Sequence, residues 1–154
     1  MPYQILMFGH VGSMFLATAL AIGPSTMLFL TAMSGDRGAI ERLFGFATPV
    51  FRVGGAAYGL GILFGVLTAL SGSIDLSTPW LVTSYALVFL LIATNLVFER
   101  WTRRVDAAVK REDGGAQDSL QAVLRDRVGA LSLGGMILTT LGIVFVMVVK
   151  PSIG

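Results

Sequence analysis

The 154-residue chain has no cysteine, a single histidine and little charge, 13% against the roughly 25% usual in a soluble domain. Without cysteine there are no disulfides, thiolate metal sites or thiol nucleophiles, and the redox compartment stays open. With His10 alone, neither a bis-imidazole haem site within one chain nor a zinc-binding HExxH motif can be built. No serine–histidine–acid set with a second plausible partner is present, and Asp75 has no second carboxylate on its side of the chain. No nucleic-acid-binding motif accompanies the basic residues, so no nucleic-acid partner is expected.

What the chain has in abundance is apolar residue, 55% of the total. Four stretches, 1–35, 53–74, 76–98 and 128–149, hold no Asp, Glu, Lys or Arg. A helix needs roughly 20 mostly apolar residues to cross about 30 Å of hydrocarbon, and each stretch is that long. They use most of the chain, which leaves no room for a separate soluble domain. Ala19-Leu20-Ala21 resembles a signal-peptide cleavage site, but Met1-Pro2-Tyr3-Gln4 lacks the basic start and the apolar run continues past it. The first stretch therefore reads as a retained span.

The expected fold is all-α: a polytopic membrane protein with four transmembrane helices in an antiparallel bundle and both termini outside. The spans fall at about 5–33, 49–71, 80–98 and 128–149. Pro24 should kink the first, with Ser25 and Thr26 satisfying freed carbonyls. Pro49 suits the first turn of the second. Residues 99–127 read as a cytoplasmic helical hairpin broken at Gly114-Gly115, its second arm capped at Asp118 or Ser119.

Orientation follows from the arginines. Arg37, Arg42, Arg52, Arg100, Arg103, Arg104, Lys110, Arg111, Arg125 and Arg127 fall on one side of a four-span arrangement, and only Lys150 on the other. Positive charge stays inside, so both charged loops are cytoplasmic.

Helices in lipid associate through small residues and close backbone contact. Gly54, Gly61, Gly65 and Gly72 form a stripe on the second span, flanked by a GxxxG at Gly55 and Gly59, and Gly135, Thr139 and Gly142 share a face of the fourth. The stripe reads as helix packing or, alternatively, as the wall of a substrate or cofactor groove. GGAAYGLG is not a phosphate-binding loop, because no strand precedes it and the lysine is absent.

The polar residues within the spans are the site candidates. His10 lies roughly 7–8 Å below the outer boundary and shares a face with Ser13, Ala17 and Ala21. It either binds haem or metal with Ser13 and Met14 beside it, carries protons or substrate, or hydrogen-bonds a neighbouring helix. Arg52 and Glu99 should sit at similar depth and form a structural ion pair, with an inner gate or lipid-headgroup site as the functional counterpart. Tyr85, Ile92, Asn95 and Glu99 share a face of the third span that should turn into the bundle, since Asn95 is costly to leave in lipid. Trp80 and Trp101 read as interfacial anchors.

GHVGSMFLATALAIG, FRVGGAAYGLGILFGVLTAL and PWLVTSYALVFLLIATNLVFERWTRR resemble a bacterial family of four-helix integral membrane proteins with no assigned function, which would imply a bacterial cytoplasmic (inner) membrane as the setting. The early histidine is also faintly similar to the copper-resistance CopD group, which would imply haem or copper handling at His10. The expected function is that of a non-enzymatic membrane protein acting through protein partners or self-association, as an accessory or assembly subunit in contact with membrane lipid. The alternatives are a haem- or copper-binding protein using His10, and a small transporter or channel with Arg52, Asn95 and Glu99 near its inner mouth.

Overall fold

In the computed structural model, residues 2–110 and 116–150 are described, with backbone alone for 116–119. They form five helices: α1 (Pro2–Ser34), α2 (Arg37–Ser71), α3 (Pro79–Val109), α4 (Ala116–Arg125) and α5 (Val128–Val149). Among the described residues there is no strand, and four helices, α1, α2, α3 and α5, are long and apolar enough to cross a membrane.

The second helix starts well before the expected position. Gly35, at φ +70°, turns the chain, and Asp36 caps α2 by accepting a hydrogen bond from the Ala39 N–H at 3.1 Å. Pro49 is therefore inside α2 rather than in its first turn. The residues read as a loop are helical because Ile40, Phe44 and Ala47 recur at helical spacing and all three are at least partly buried. Pro24 likewise sits inside α1. Thr26 donates to the Ile22 carbonyl at 2.8 Å, which is not the one the proline frees, and Ser25 donates to none.

Towards its end α3 carries the first arm of the expected hairpin and closes at Lys110. Arg111 and Gly114-Gly115 lie outside the described residues. The second arm is α4, which begins at Ala116, so Asp118 and Ser119 fall within the helix rather than at its cap.

Glycine decides how the long helices meet. A Cβ at Gly72 would come within 2.7 Å of the Tyr3 ring, one at Gly65 within 2.9 Å of the His10 ring, one at Gly61 within 2.5 Å of Met14 Sδ, and one at Gly54 within 3.3 Å of Leu20 Cβ. The contacts climb α1 as they descend α2, so the glycine stripe is the seat of α1. The other pair repeats the device: Gly129 faces Trp101, Gly135 faces Thr94 and Gly142 faces Leu87. The molecule is thus built from two glycine-seated hairpins, α1–α2 and α3–α5.

The hairpins are joined where α1 ends and α2 begins. There Ala32 and Ile40 pack with Phe98, Trp101, Val105 and Leu120 in one apolar core, and Phe29 meets the Trp101 ring at 5.7 Å between centroids. The Arg37 guanidinium donates to the Ala108 carbonyl at 3.1 Å, closing the end of α3 against the start of α2. Trp101 is 0% exposed, and its indole N–H donates to the Val123 carbonyl at 3.4 Å. It is a core residue, not the expected interfacial anchor, because α4 folds over the face of α3 that carries it. Trp80, at the opposite end of α3, is partly exposed and carries the Lys150 ammonium 5.5 Å above its ring.

Candidate functional site

His10 is a half-buried member of the α1–α2 seam. Its Nδ1 donates to the Gly61 carbonyl at 2.7 Å. A carbonyl only accepts, so Nδ1 carries the hydrogen and Nε2 keeps the lone pair in the neutral ring. Gly65 makes this bond reachable: a Cβ there would occupy the space of the imidazole, within 2.9 Å of Nδ1 itself. Ser13 is half-buried on the same helix, and Met14 packs one turn further along, over Gly61.

As a haem or copper site this donor set is thin. Among the described residues no three His, Cys, Asp or Glu side chains come together to hold a metal ion. One imidazole nitrogen and a thioether do not make a self-contained centre. What the arrangement does is hold two helices together by a polar contact in an otherwise apolar seam.

The larger feature lies on the other side of α2. Helices α2 and α3 meet each other far less closely than either meets its hairpin partner, and between them runs a cleft of about 1010 Å³ backed by α1. Arg52, Asn95 and Glu99 all line it, as the shared depth of Arg52 and Glu99 suggested. The expected Arg52–Glu99 ion pair does not form. Glu99 pairs instead with Arg103, one turn along α3, at 2.7 Å. The cleft separates the two helices at this level, and an i,i+4 partner is always in reach. Further out, Asp106 holds Lys110 at 2.8 Å. That carboxylate, with Glu41 adding a smaller part, raises the Lys110 pKa above its ordinary value.

Tyr85 does not share the cleft. It is 48% exposed on the outer surface of α3, which corrects the expectation that it turns inward. The face it begins rotates into the cleft only from Ile92 onward. No family model, curated protein or solved structure matches the chain.

Two contributors to the cleft escaped the sequence reading as site residues. Ser25 is 1% exposed, lines the cleft, and its hydroxyl has no hydrogen-bond partner. The other buried serines behave differently: Ser84 donates to the Trp80 carbonyl at 2.8 Å and Ser132 to the Val128 carbonyl at 2.6 Å. Tyr58, half-buried on α2, is the second. The only advance signal was the position of Ser25 beside Pro24, and it pointed to backbone repair rather than to a cleft.

The cleft is graded along its length. Its deep part is apolar, with Leu20, Ile62, Leu91 and Ile92. Polar side chains follow at Tyr58, Ser25, Asn95 and Arg52, and the charged pairs of α3 frame the mouth. One wall is bare helix backbone: a Cβ at Gly45, Gly55 or Gly59 would meet nothing within 4 Å.

Proposed function

We propose that the protein is a multi-pass membrane protein of the bacterial cytoplasmic membrane, an antiparallel four-helix bundle whose described ends face outward and whose charged layer faces the cytoplasm. It works by lateral association rather than by chemistry of its own, as an accessory or assembly subunit, and receives a membrane-resident partner in the α2–α3 cleft. The observation that carries this reading is the cleft itself, apolar at depth, polar at its mid-level and walled on one side by open glycines. Orientation is supported by the basic residues, ten of eleven of which belong to the two charged connections and the helix ends beside them.

The absence of cysteine allows a direct test. Asp75→Cys and Arg104→Cys are placed singly, and intact cells are treated with a membrane-impermeant maleimide. Labelling is expected at 75 without permeabilisation and at 104 only after it; labelling of both from one side overturns the topology. The association is tested by Gly55→Trp, which projects a ring into open space. It is expected to leave the folded protein intact and to remove whatever non-covalent mass accompanies the protein from mild detergent. If that mass is unchanged, the cleft is not the association site.

A further inference from the structure

We infer that the occupant of the cleft is an anionic phospholipid of the cytoplasmic leaflet, its phosphate held by Arg52 and its ester region by Ser25 and Asn95. This rests on the reading of the cleft as the association site and names the chemistry that site selects.

The inference starts from what is left unpaired. Among the described residues, Arg52 makes no ion pair, Asn95 makes no hydrogen bond, and the buried Ser25 hydroxyl has no partner, yet all three line one cleft. Arg52 and Ser25 also lie close in level. Leu20 of α1 faces Gly54 of α2; Arg52 is two residues from Gly54 and Ser25 five from Leu20, each in the direction of the charged end. That places Arg52 about half a turn and Ser25 about one and a half turns beyond the same contact, roughly 4–5 Å apart in level. The carboxylates nearby are already engaged: Glu99 by Arg103, Asp106 by Lys110, and Glu41 in the field of Lys110.

An arginine with five N–H donors, a serine hydroxyl and a carboxamide N–H₂ ask for an acceptor-rich partner carrying negative charge. A transmembrane helix of another protein satisfies its own backbone and would bring these only by placing a costly polar or acidic side chain within the membrane. A phospholipid brings a phosphate and ester carbonyls on one end and acyl chains on the other, in the order in which the cleft passes from polar to apolar. Its depth agrees: Arg52 stands 19 residues from Ser71, the outer end of α2, or about 28 Å along the axis, close to the thickness of the hydrocarbon core. An arginine there meets the headgroup layer of the inner leaflet, whose anionic lipids attract basic side chains. The glycine wall leaves the chains a smooth surface to lie against.

The test uses the full-length protein in mild detergent, delipidated and titrated with dioleoyl phosphatidylglycerol, dioleoyl phosphatidylcholine or inorganic phosphate, with adducts counted by native mass spectrometry. One phosphatidylglycerol is expected to bind in preference to phosphatidylcholine. Arg52→Gln should weaken it about five- to tenfold, the size expected for one well-placed cation. Arg104→Gln, which breaks a surface pair with Asp126 away from the cleft, should not. Ser25→Ala should weaken binding by a smaller factor with the melting temperature unchanged. Equal binding of the two lipids, binding of inorganic phosphate at the same concentrations, or an Arg52→Gln protein that binds as before each overturns the inference. Gly55→Trp separates the two claims. If it displaces a protein subunit while phosphatidylglycerol never binds, the lipid is wrong and the cleft stands. If it displaces nothing, both fall.

Discussion

The two ends of the molecule are packed by opposite rules. Along the α1–α2 seam the α2 side of the contact is made by glycines, on which Tyr3, His10, Met14 and Leu20 of α1 rest, while large apolar residues such as Phe8 and Phe15 point away from the protein. At the charged end the large residues are inside, Trp101, Ile40, Leu120 and Val105 all being 2% exposed or less, and Arg103, Arg104 and Lys110 are outside. The same chain is thus inside-out at one end and conventional at the other. Burial of an apolar side chain is favourable only when water is the alternative. Where hydrocarbon is the alternative, helices gain from approach distance and hydrogen bonding. The change of packing rule along the helices is consistent with a change of solvent along them.

The sharpest way to break this comparison is to truncate one aromatic from each end. Trp101→Ala should cost about 3–5 kcal/mol, because it empties a water-excluding core. Phe8→Ala should stay within about 0.5 kcal/mol, because Phe8 is 80% exposed and leaves hydrocarbon for hydrocarbon. Unfolding in detergent micelles, followed by tryptophan fluorescence for Phe8→Ala and by near-ultraviolet circular dichroism for both, measures the difference. Equal losses would remove the contrast.

A smaller effect distinguishes the two glycine seats. Gly129→Ala drives a methyl to within 2.5 Å of the rigid, enclosed indole of Trp101 and should cost about 1–3 kcal/mol. Gly61→Ala reaches the same distance from Met14 Sδ, but that thioether can swing aside, so its cost should be well below that of Gly129→Ala. Thermal midpoints of the pair in one detergent give the ranking.

Third in size is the polar contact of the seam. Gly65→Ala should push the imidazole off the Gly61 carbonyl, and His10→Phe should remove the bond outright at about 0.6 kcal/mol, the usual size for such bonds between membrane helices. Because both changes act on one bond, a double-mutant cycle should show coupling. Strict additivity would mean that the bond contributes nothing.

The smallest effect belongs to the 72–78 connection. Asp75 accepts from the Ser77 N–H at 2.9 Å and from its hydroxyl at 2.7 Å, and these bonds hold its pKa below the ordinary 3.8. The stabilisation is complete above that ordinary value and fades as the pH falls through the lowered one. Asp75→Asn should therefore flatten a slight acid-side loss of thermal stability below about pH 4, its midpoint lying slightly below that of the native protein at neutral pH and meeting it in acid.

Much of the fold was legible in the composition, since hydrocarbon imposes long uncharged runs and glycine stripes advertise close packing. The α2 stripe was read as a packing face or, alternatively, a groove wall, and α1 proved to be what sits on it. Legibility failed where the packing rule changes. Residues 37–45 carry charge and were read as part of a loop, although Asp36 as a cap and Ile40, Phe44 and Ala47 at helical spacing describe a water-facing helix. Trp101 was read by the rule for interfaces when Val105, Ala108 and Val109 beyond it belong to a buried face. In the candidate site, Arg52, Asn95 and Glu99 were found from the cost of polar groups near lipid. The ion pair was not, because the space between α2 and α3 depends on where two hairpins dock, and no local pattern encodes that.

The docking itself has a mechanical consequence. The hairpins are fastened twice, by the covalent 72–78 connection at one end and at the other by the Trp101 cluster with the Arg37–Ala108 bond. A jaw needs a free end, and this opening has none. Tied at both ends, it should keep its width, so that filling or emptying it leaves the girth of the molecule unaltered.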